Sequence, residues 1–293
     1  MWDILSVKTM KESEKALIEK GTPSLELMRR AGLVLYHGIR YSGNVAILVG
    51  KGTQASKYLI NHDKKYIVEL QLGTKTDTAD SEGKIVEQQP INKEIITIEN
   101  IEKILQTFIG KQEQIPPIYS AIKINGKKLY EYARKGQEVE LKPRQIEIYN
   151  IKLINYSIEE KQIKFEVFCG KGTYIRSLCE DIATKFETVG YMKSLKRIQV
   201  GDFKIEDSIT IEELNDIVQK NELENTKTII TLEKLFEKLP SIKLENRKLE
   251  LFLNGVMLTQ KLNEGVYKIY NQEDKFIGTG TIKDNLLKRD IIL

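Results

Sequence analysis

From residue 7 to residue 20, charged and apolar positions alternate at helical spacing, and Thr22-Pro23 then reads as an N-cap with proline in the first turn. The helix it opens is expected through Leu25, Leu27, Met28, Ala31 and Leu35. Val45-Ala46-Ile47-Leu48-Val49 is a short unbroken apolar run, the pattern of a buried strand, and it ends at Gly50-Lys51-Gly52. Strands are expected next at 66–70, with a turn at Asp80-Ser81-Glu82-Gly83. Residues 98–109 have the spacing of an amphipathic helix, closed by Gly110.

Between Gln114 and Arg144 the periodicity fades. Pro116, Pro117, Tyr119, Tyr130 and Tyr132 stand there among Lys123, Lys127, Lys128, Arg134, Lys135, Lys142 and Arg144. Residues 146–156 and 162–168 predict a strand pair, 174–186 a helix, and Thr210-Ile211-Glu212-Glu213 is a capping box at a helix start. The polar stretch 221–228 reads as a linker. Beyond it, short helices at 231–238 and 246–254 and strands at 266–269 and 276–282 predict a small, mostly β unit.

Composition narrows the picture only a little. A chain of 293 residues suffices for one large domain and a small one. Its 46 basic against 42 acidic residues give a formal charge of +4, which permits a nucleic-acid partner without requiring one. Cys169, Cys179, His37 and His62 are spaced as neither a disulfide framework nor a metal-ligand set, so no metal is expected. The N-terminus lacks the basic start and apolar run of a signal peptide, and no stretch approaches the roughly 20 apolar residues of a membrane span. A cytoplasmic protein with no membrane association is the expectation.

Several motifs occur together in a characteristic order. They are Lys64-Lys65-Tyr66; Leu72-Gly73-Thr74-Lys75-Thr76-Asp77-Thr78 with Asp80-Ser81-Glu82-Gly83; Gln114-Ile115-Pro116-Pro117-Ile118-Tyr119-Ser120-Ala121-Ile122-Lys123; Gly170-Lys171-Gly172-Thr173-Tyr174-Ile175-Arg176; and Leu195-Lys196-Arg197. From about residue 53 to the end the chain resembles the TruB family of tRNA pseudouridine synthases. That resemblance implies an α/β (α+β) fold: a mixed, mainly antiparallel sheet with flanking helices, an RNA-binding insertion at about 114–144, and a small C-terminal PUA-like β domain. The implied division is a synthase domain over 53–228 and the PUA-like domain over 229–293.

The same resemblance implies the chemistry. The family isomerises uridine 55 in the T-arm of tRNA without a cofactor, through a carboxylate nucleophile and a flipped base. By resemblance Tyr66 and Arg176 are the catalytic residues present, Tyr66 stacking on the uracil and Arg176 holding the nucleophile. Tyr174 and Leu195 line the substrate pocket, and Lys123, Lys127, Lys128 and Arg134 grip RNA phosphates. Taken singly, Tyr66 is equally a core tyrosine of a strand, Leu195 equally core packing, and the lysine-rich stretch equally a solvated loop. The implied partner is tRNA, met by a monomer.

Residues 1–52 depart from that family. Its members carry Gly-His-Thr-Gly-Thr-Leu-Asp-Pro there, with the aspartate as nucleophile, and this octapeptide does not occur in the chain. Pro23-Ser24-Leu25-Glu26-Leu27-Met28 and Val45 to Gly52 resemble instead the opening of an NAD(P)HX epimerase domain, cut off before its phosphate loop. Arg176 is therefore expected to lose its carboxylate partner and to turn to solvent or to RNA phosphate. Asp77 and Asp80 sit in and beside a turn and are not expected to replace the nucleophile, and Asp3 lies in the foreign opening. Two readings stay open: a pseudouridine synthase, and a tRNA-binding protein that has lost its chemistry.

Overall fold

The structure is a computed structural model that describes residues 31–33, 42–43, 48, 50–133, 135–137, 139–220 and 229–293. The chain divides into two compact units, one formed by 40–44 and 61–205, the other by 1–39, 45–60 and 206–293.

The first unit is built on a seven-stranded sheet. Its main strands are β1 (Lys64–Leu72), β2 (Arg144–Ser157), β3 (Gln162–Cys169) and β4 (Gly190–Val200). The sheet order is Phe203–Lys204, β4, β1, β3, β2, Gly110–Gln114, all antiparallel, with Ser42–Gly43 added in parallel to β4. Burial alternates along β3 at every second residue, so one face of the sheet is packed and the other is wet. Val68, Leu70, Ile163, Phe165 and Val167 point to the packed face and are fully buried. On the wet face, Lys164 pairs with Glu69 at 2.9 Å and Lys65 with Glu166 at 3.2 Å.

Two helices cover the packed face. Helix α1 (Ile98–Gln106) starts where Thr97 Oγ1 accepts from the Asn100 amide at 3.3 Å, and it buries Ile101 and Leu105. Helix α2 (Ile175–Lys185) buries Ile175, Leu178, Cys179, Ile182 and Ala183 in the same core. Gly190 lets α2 lie close to the sheet: a Cβ there would stand 2.6 Å from the Ala183 Cβ.

The second unit holds a five-stranded sheet in the order Ser241–Lys243, β5 (Gly265–Tyr270), β6 (Phe276–Lys283), β7 (Leu286–Ile292), Leu258–Thr259, packed by α3 (Asn246–Leu253). The segment 50–60 belongs to this unit. Ala55 and Tyr58 pack with Leu232, Phe236, Phe276 and Ile291, and Lys57 and Tyr58 both bond to Asp290. The capping box forms: the Thr210 amide donates to Glu213 Oε2 at 2.7 Å, and the Glu213 amide to Thr210 Oγ1 at 3.2 Å.

The fold is thus α+β, with a mainly antiparallel sheet flanked by helices and a C-terminal β unit, as the sequence implies. One element differs. Ala31–Leu33, expected inside a helix, is a short strand antiparallel to Ile229–Thr231. Its backbone hydrogen bonds go to a distant segment, a choice that local spacing does not reveal. The expected helix at 7–20, the linker 221–228, and the strand at 45–49 except Leu48 lie outside the described residues, and Leu48 is in no strand. The strands β4 and β7 were not foreseen from the pattern, because their polar and apolar residues do not alternate cleanly.

Candidate functional site

Tyr66 sits on the packed face of β1, at the end nearest the start of α2, and leans on the buried core together with Leu195. Register explains the grouping. Leu195 stands opposite Val68 and Arg197 opposite Tyr66 across the β1–β4 ladder, while Val167 flanks Tyr66 on the β3 side. Burial pushes the Tyr66 hydroxyl up to about 12, and the neighbouring Cys169 thiol adds to this. The Arg197 guanidinium, within hydrogen-bonding reach of that hydroxyl, acts in the opposite sense. The ring is therefore neutral at physiological pH, a flat apolar surface with a protonated hydroxyl.

Arg176 leaves the first turn of α2 and ties three segments together. It donates to Thr78 O at 3.1 Å, to Asp80 Oδ2 at 3.2 Å and to Tyr119 O at 2.8 Å. The expectation that Arg176 is left without a carboxylate is therefore corrected: Asp80 supplies one. Asp80 is itself held, because Oδ1 accepts from Thr78 Oγ1 at 2.6 Å and from the Glu82 amide at 3.2 Å. A largely buried guanidinium needs acceptors for its donors, and two backbone carbonyls with one carboxylate supply them. Asp77, in contrast, accepts from the Lys84 amide at 2.8 Å across the turn.

Tyr174 is the N-cap of α2, and its backbone is gripped from both sides by one side chain. The Tyr174 amide donates to Gln114 Oε1 at 2.8 Å, and Gln114 Nε2 donates to Tyr174 O at 3.0 Å. Gln114 is almost fully buried, and Ser177 Oγ adds a bond to Ile115 O at 2.9 Å. The start of the insertion is thereby fixed to the start of α2. The approach to α2 turns at Gly172, whose φ of +84° suits glycine.

The insertion is an ordered hairpin and short helix rather than a solvated loop. Lys123–Ile124 pairs with Lys127–Lys128 around Asn125 and Gly126, whose φ values of 51° and 81° are those of a two-residue hairpin turn. Leu129 is fully buried and anchors the Leu129–Ala133 helix, and Tyr132 OH donates to Ile124 O at 3.1 Å. Lys123 and Lys127 are exposed at the tip, while Lys128 donates to Tyr130 OH at 3.3 Å. Arg134 lies outside the described residues.

Three residues of this site were not singled out from the sequence: Gln114, Asp80 as partner of Arg176, and Arg197. Each lies inside a motif quoted above. Only the register across strands and the crossing of α2 over the insertion show that their side chains converge. Among the described residues, no group of three or more His, Cys, Asp or Glu could hold a metal ion. No described helix is long and apolar enough to cross a membrane.

Comparison with known proteins adds to this geometry. A family model described as TruB family pseudouridylate synthase (N terminal domain) matches residues 40–175. Two further models, tRNA pseudouridylate synthase B C-terminal domain and Pseudouridine synthase II TruB, C-terminal, match 176–239 and 240–288. The chain is 39% identical over 249 residues to the tRNA pseudouridine synthase B of Caldanaerobacter subterraneus subsp. tengcongensis, covering 84% of this chain and 83% of that protein. It is 41% identical over 252 residues to the tRNA pseudouridine synthase B of Clostridium kluyveri, covering 83% and 82%. The crystal structure of a Cbf5-Nop10-Gar1 complex contains a chain of the same fold, with a TM-score of 0.61 at 20% identity, covering 95% of this chain and 78% of that one. An H/ACA RNP bound to a substrate RNA containing 2'-deoxyuridine gives a TM-score of 0.61 at 18% identity, covering 97% and 81%.

Proposed function

The chain belongs to the TruB family of pseudouridylate synthases, and from that premise we propose that it recognises the T-arm of tRNA and seats a flipped uridine on Tyr66. The single observation that carries this reading is the register that sets Arg197 opposite Tyr66 and Leu195 on the same face, beside a flat ring that packs against the core. Stacking on such a ring is how an unpaired base is held. Lys123, Lys127 and Lys128 on the insertion, with Arg134, meet the phosphates, and residues 229–293 act as a PUA-like RNA-binding unit. The protein works as a cytoplasmic monomer and needs no cofactor.

Isomerisation itself needs a carboxylate that attacks the flipped nucleotide. Removal of a nucleophile costs on the order of a million-fold in rate. The chain has no Gly-His-Thr-Gly-Thr-Leu-Asp-Pro segment, and the carboxylate beside Arg176 is engaged by three donors. We therefore assign tRNA binding to the chain as written, and turnover to a chain that regains that segment in place of residues 1–52.

Tritium release from C5-labelled uridine in a T-arm stem-loop tests this. The unaltered chain is expected to bind the stem-loop and release no tritium above background, and the repaired chain to release it. A second reading, with Asp80 as nucleophile, draws on its 3.2 Å contact with Arg176. Release by the unaltered chain that disappears in Asp80→Asn would establish that reading instead.

A further inference from the structure

The first turn of α2 is built without local caps. Tyr174 occupies the N-cap position, and its side chain caps nothing. Three places on, a capping box carries a glutamate or glutamine that reaches back to the N-cap amide. Here that residue is Ser177, and its hydroxyl donates instead to Ile115 O at 2.9 Å. The chain uses the local form elsewhere, where Thr210 and Glu213 exchange both bonds within one turn.

At α2 the bond to the N-cap amide comes from Gln114, 60 residues earlier at the end of the strand Gly110–Gln114. Its Oε1 accepts from the Tyr174 amide at 2.8 Å, and its Nε2 donates to Tyr174 O at 3.0 Å. Gln114 is only 4% exposed, so water competes little for these bonds and their loss leaves buried polar groups unsatisfied. Arg176 adds a third tie by donating to Tyr119 O at 2.8 Å. Tyr174, Arg176 and Ser177 are thus held by residues 114–119 rather than by a cap of their own.

A serine, threonine or aspartate at 174 would cap the helix locally. Tyrosine gives up that cap and places a large aromatic ring at the helix start, and the distant carboxamide makes good the bond. Holding the amide on one side of Tyr174 and the carbonyl on the other fixes both flanking peptide planes, and with them the direction of the Cα–Cβ bond.

We propose that Gln114 is a positioning residue for the nucleotide pocket, setting the direction of Tyr174 and the placement of the α2 turn that carries Arg176. This rests on the reading that a flipped uridine occupies the pocket of Tyr66 and Tyr174. Gln114 acts through the backbone of Tyr174 and not on the nucleotide.

The test uses the full chain and two T-arm stem-loops, one with the target uridine and one with an abasic site in its place. The ratio of the two affinities reads what the base gains in the pocket, and binding of the abasic stem-loop reads every other contact. Gln114→Met keeps the length of the side chain and removes both bonds. It is expected to lower the ratio about fivefold, the low end of the range for loss of one base–aromatic stack, and to leave abasic stem-loop binding unchanged. Ser177→Ala removes only the bond to Ile115 O and is expected to lower the ratio about twofold; it carries the test if the methionine variant does not fold. Both variants are expected to melt below the unaltered chain, since each loses a buried bond. A lower melting temperature with an unchanged ratio, in whichever of the two folds, would mark these bonds as purely structural and overturn the proposal while leaving the T-arm reading intact. Equal binding of the two stem-loops by the unaltered chain would overturn both.

Discussion

Arg176 Nη1 and Asp80 Oδ2 stand 3.2 Å apart, with side chains 19% and 9% exposed. The pair joins the first turn of α2 to the turn that follows β1, and Tyr119 O draws the insertion to the same guanidinium at 2.8 Å. Three segments far apart in sequence therefore share one charge. The local consequence is that Arg176 stays aligned whether or not a second carboxylate arrives from another segment.

Breaking this pair leaves a buried guanidinium with a missing acceptor. Asp80→Ala is expected to destabilise the synthase unit by about 3 kcal/mol. Asp80→Asn, which keeps one acceptor oxygen, should cost less. Urea unfolding followed by circular dichroism checks both, and a loss below 1 kcal/mol for the alanine variant would count against the pairing.

Stacking at Tyr66 has a different signature. Tyr66→Ala is expected to weaken stem-loop binding about tenfold, within the range for loss of one base–aromatic stack. Tyr66→Phe should bind like the unaltered chain. Because the hydroxyl is pushed up to about 12 by burial, ionisation of this group contributes no change in affinity between pH 7 and pH 10. Fluorescence anisotropy across that range, with the phenylalanine variant as reference, reads both effects.

Lys64 bears on stability through its charge. Burial, followed by the Arg197 charge, depresses its folded-state pKa. For a group so depressed, the stabilising contribution is present above the unfolded value of about 10.4 and is lost as pH falls through the folded value. At pH 7 Lys64 therefore weakens the RNA-free fold. Lys64→Gln is expected to raise the thermal midpoint slightly at pH 7, with the gain vanishing above the unfolded pKa. Melting curves at the two pH values decide it, and a lower midpoint at pH 7 would show that the lysine's own contacts outweigh its desolvation.

The insertion should act through long-range charge. RNA binding is expected to weaken as salt rises, since phosphate contacts release counterions. Replacing both Lys127 and Lys128 with glutamine should lower the slope of log affinity against log salt by about 2 without changing which tRNA arm is protected. A slope that stays unchanged would remove these residues from the interface.

In the second unit, Asp290 receives bonds from Lys57, Tyr58 and Thr279, the last at 3.1 Å. Its side chain is 11% exposed. Asp290→Ala is expected to cost about 1–2 kcal/mol, chiefly through the lost bonds from Tyr58 and Thr279, and to loosen the segment 50–60 from the C-terminal sheet. Faster amide hydrogen exchange at 56–60 would show this.

Much of the design is legible in the residues themselves. The alternation along β1 and β3, the threonine caps before α1 and the 211–219 helix, and the Asn125-Gly126 turn are short-range features, set by side-chain period and by local hydrogen bonds. The motifs around Tyr66, Tyr174, Arg176 and Leu195 likewise identify the family. Tertiary structure alone decided what Arg176 bonds to, that Gln114 clamps Tyr174, that Arg197 stands beside Tyr66, and that Ala31–Leu33 is a strand. Each of these depends on the register between strands, or on one element crossing another. A guanidinium or an unpaired strand edge can be satisfied by many partners, and only the packed core selects which one lies within reach.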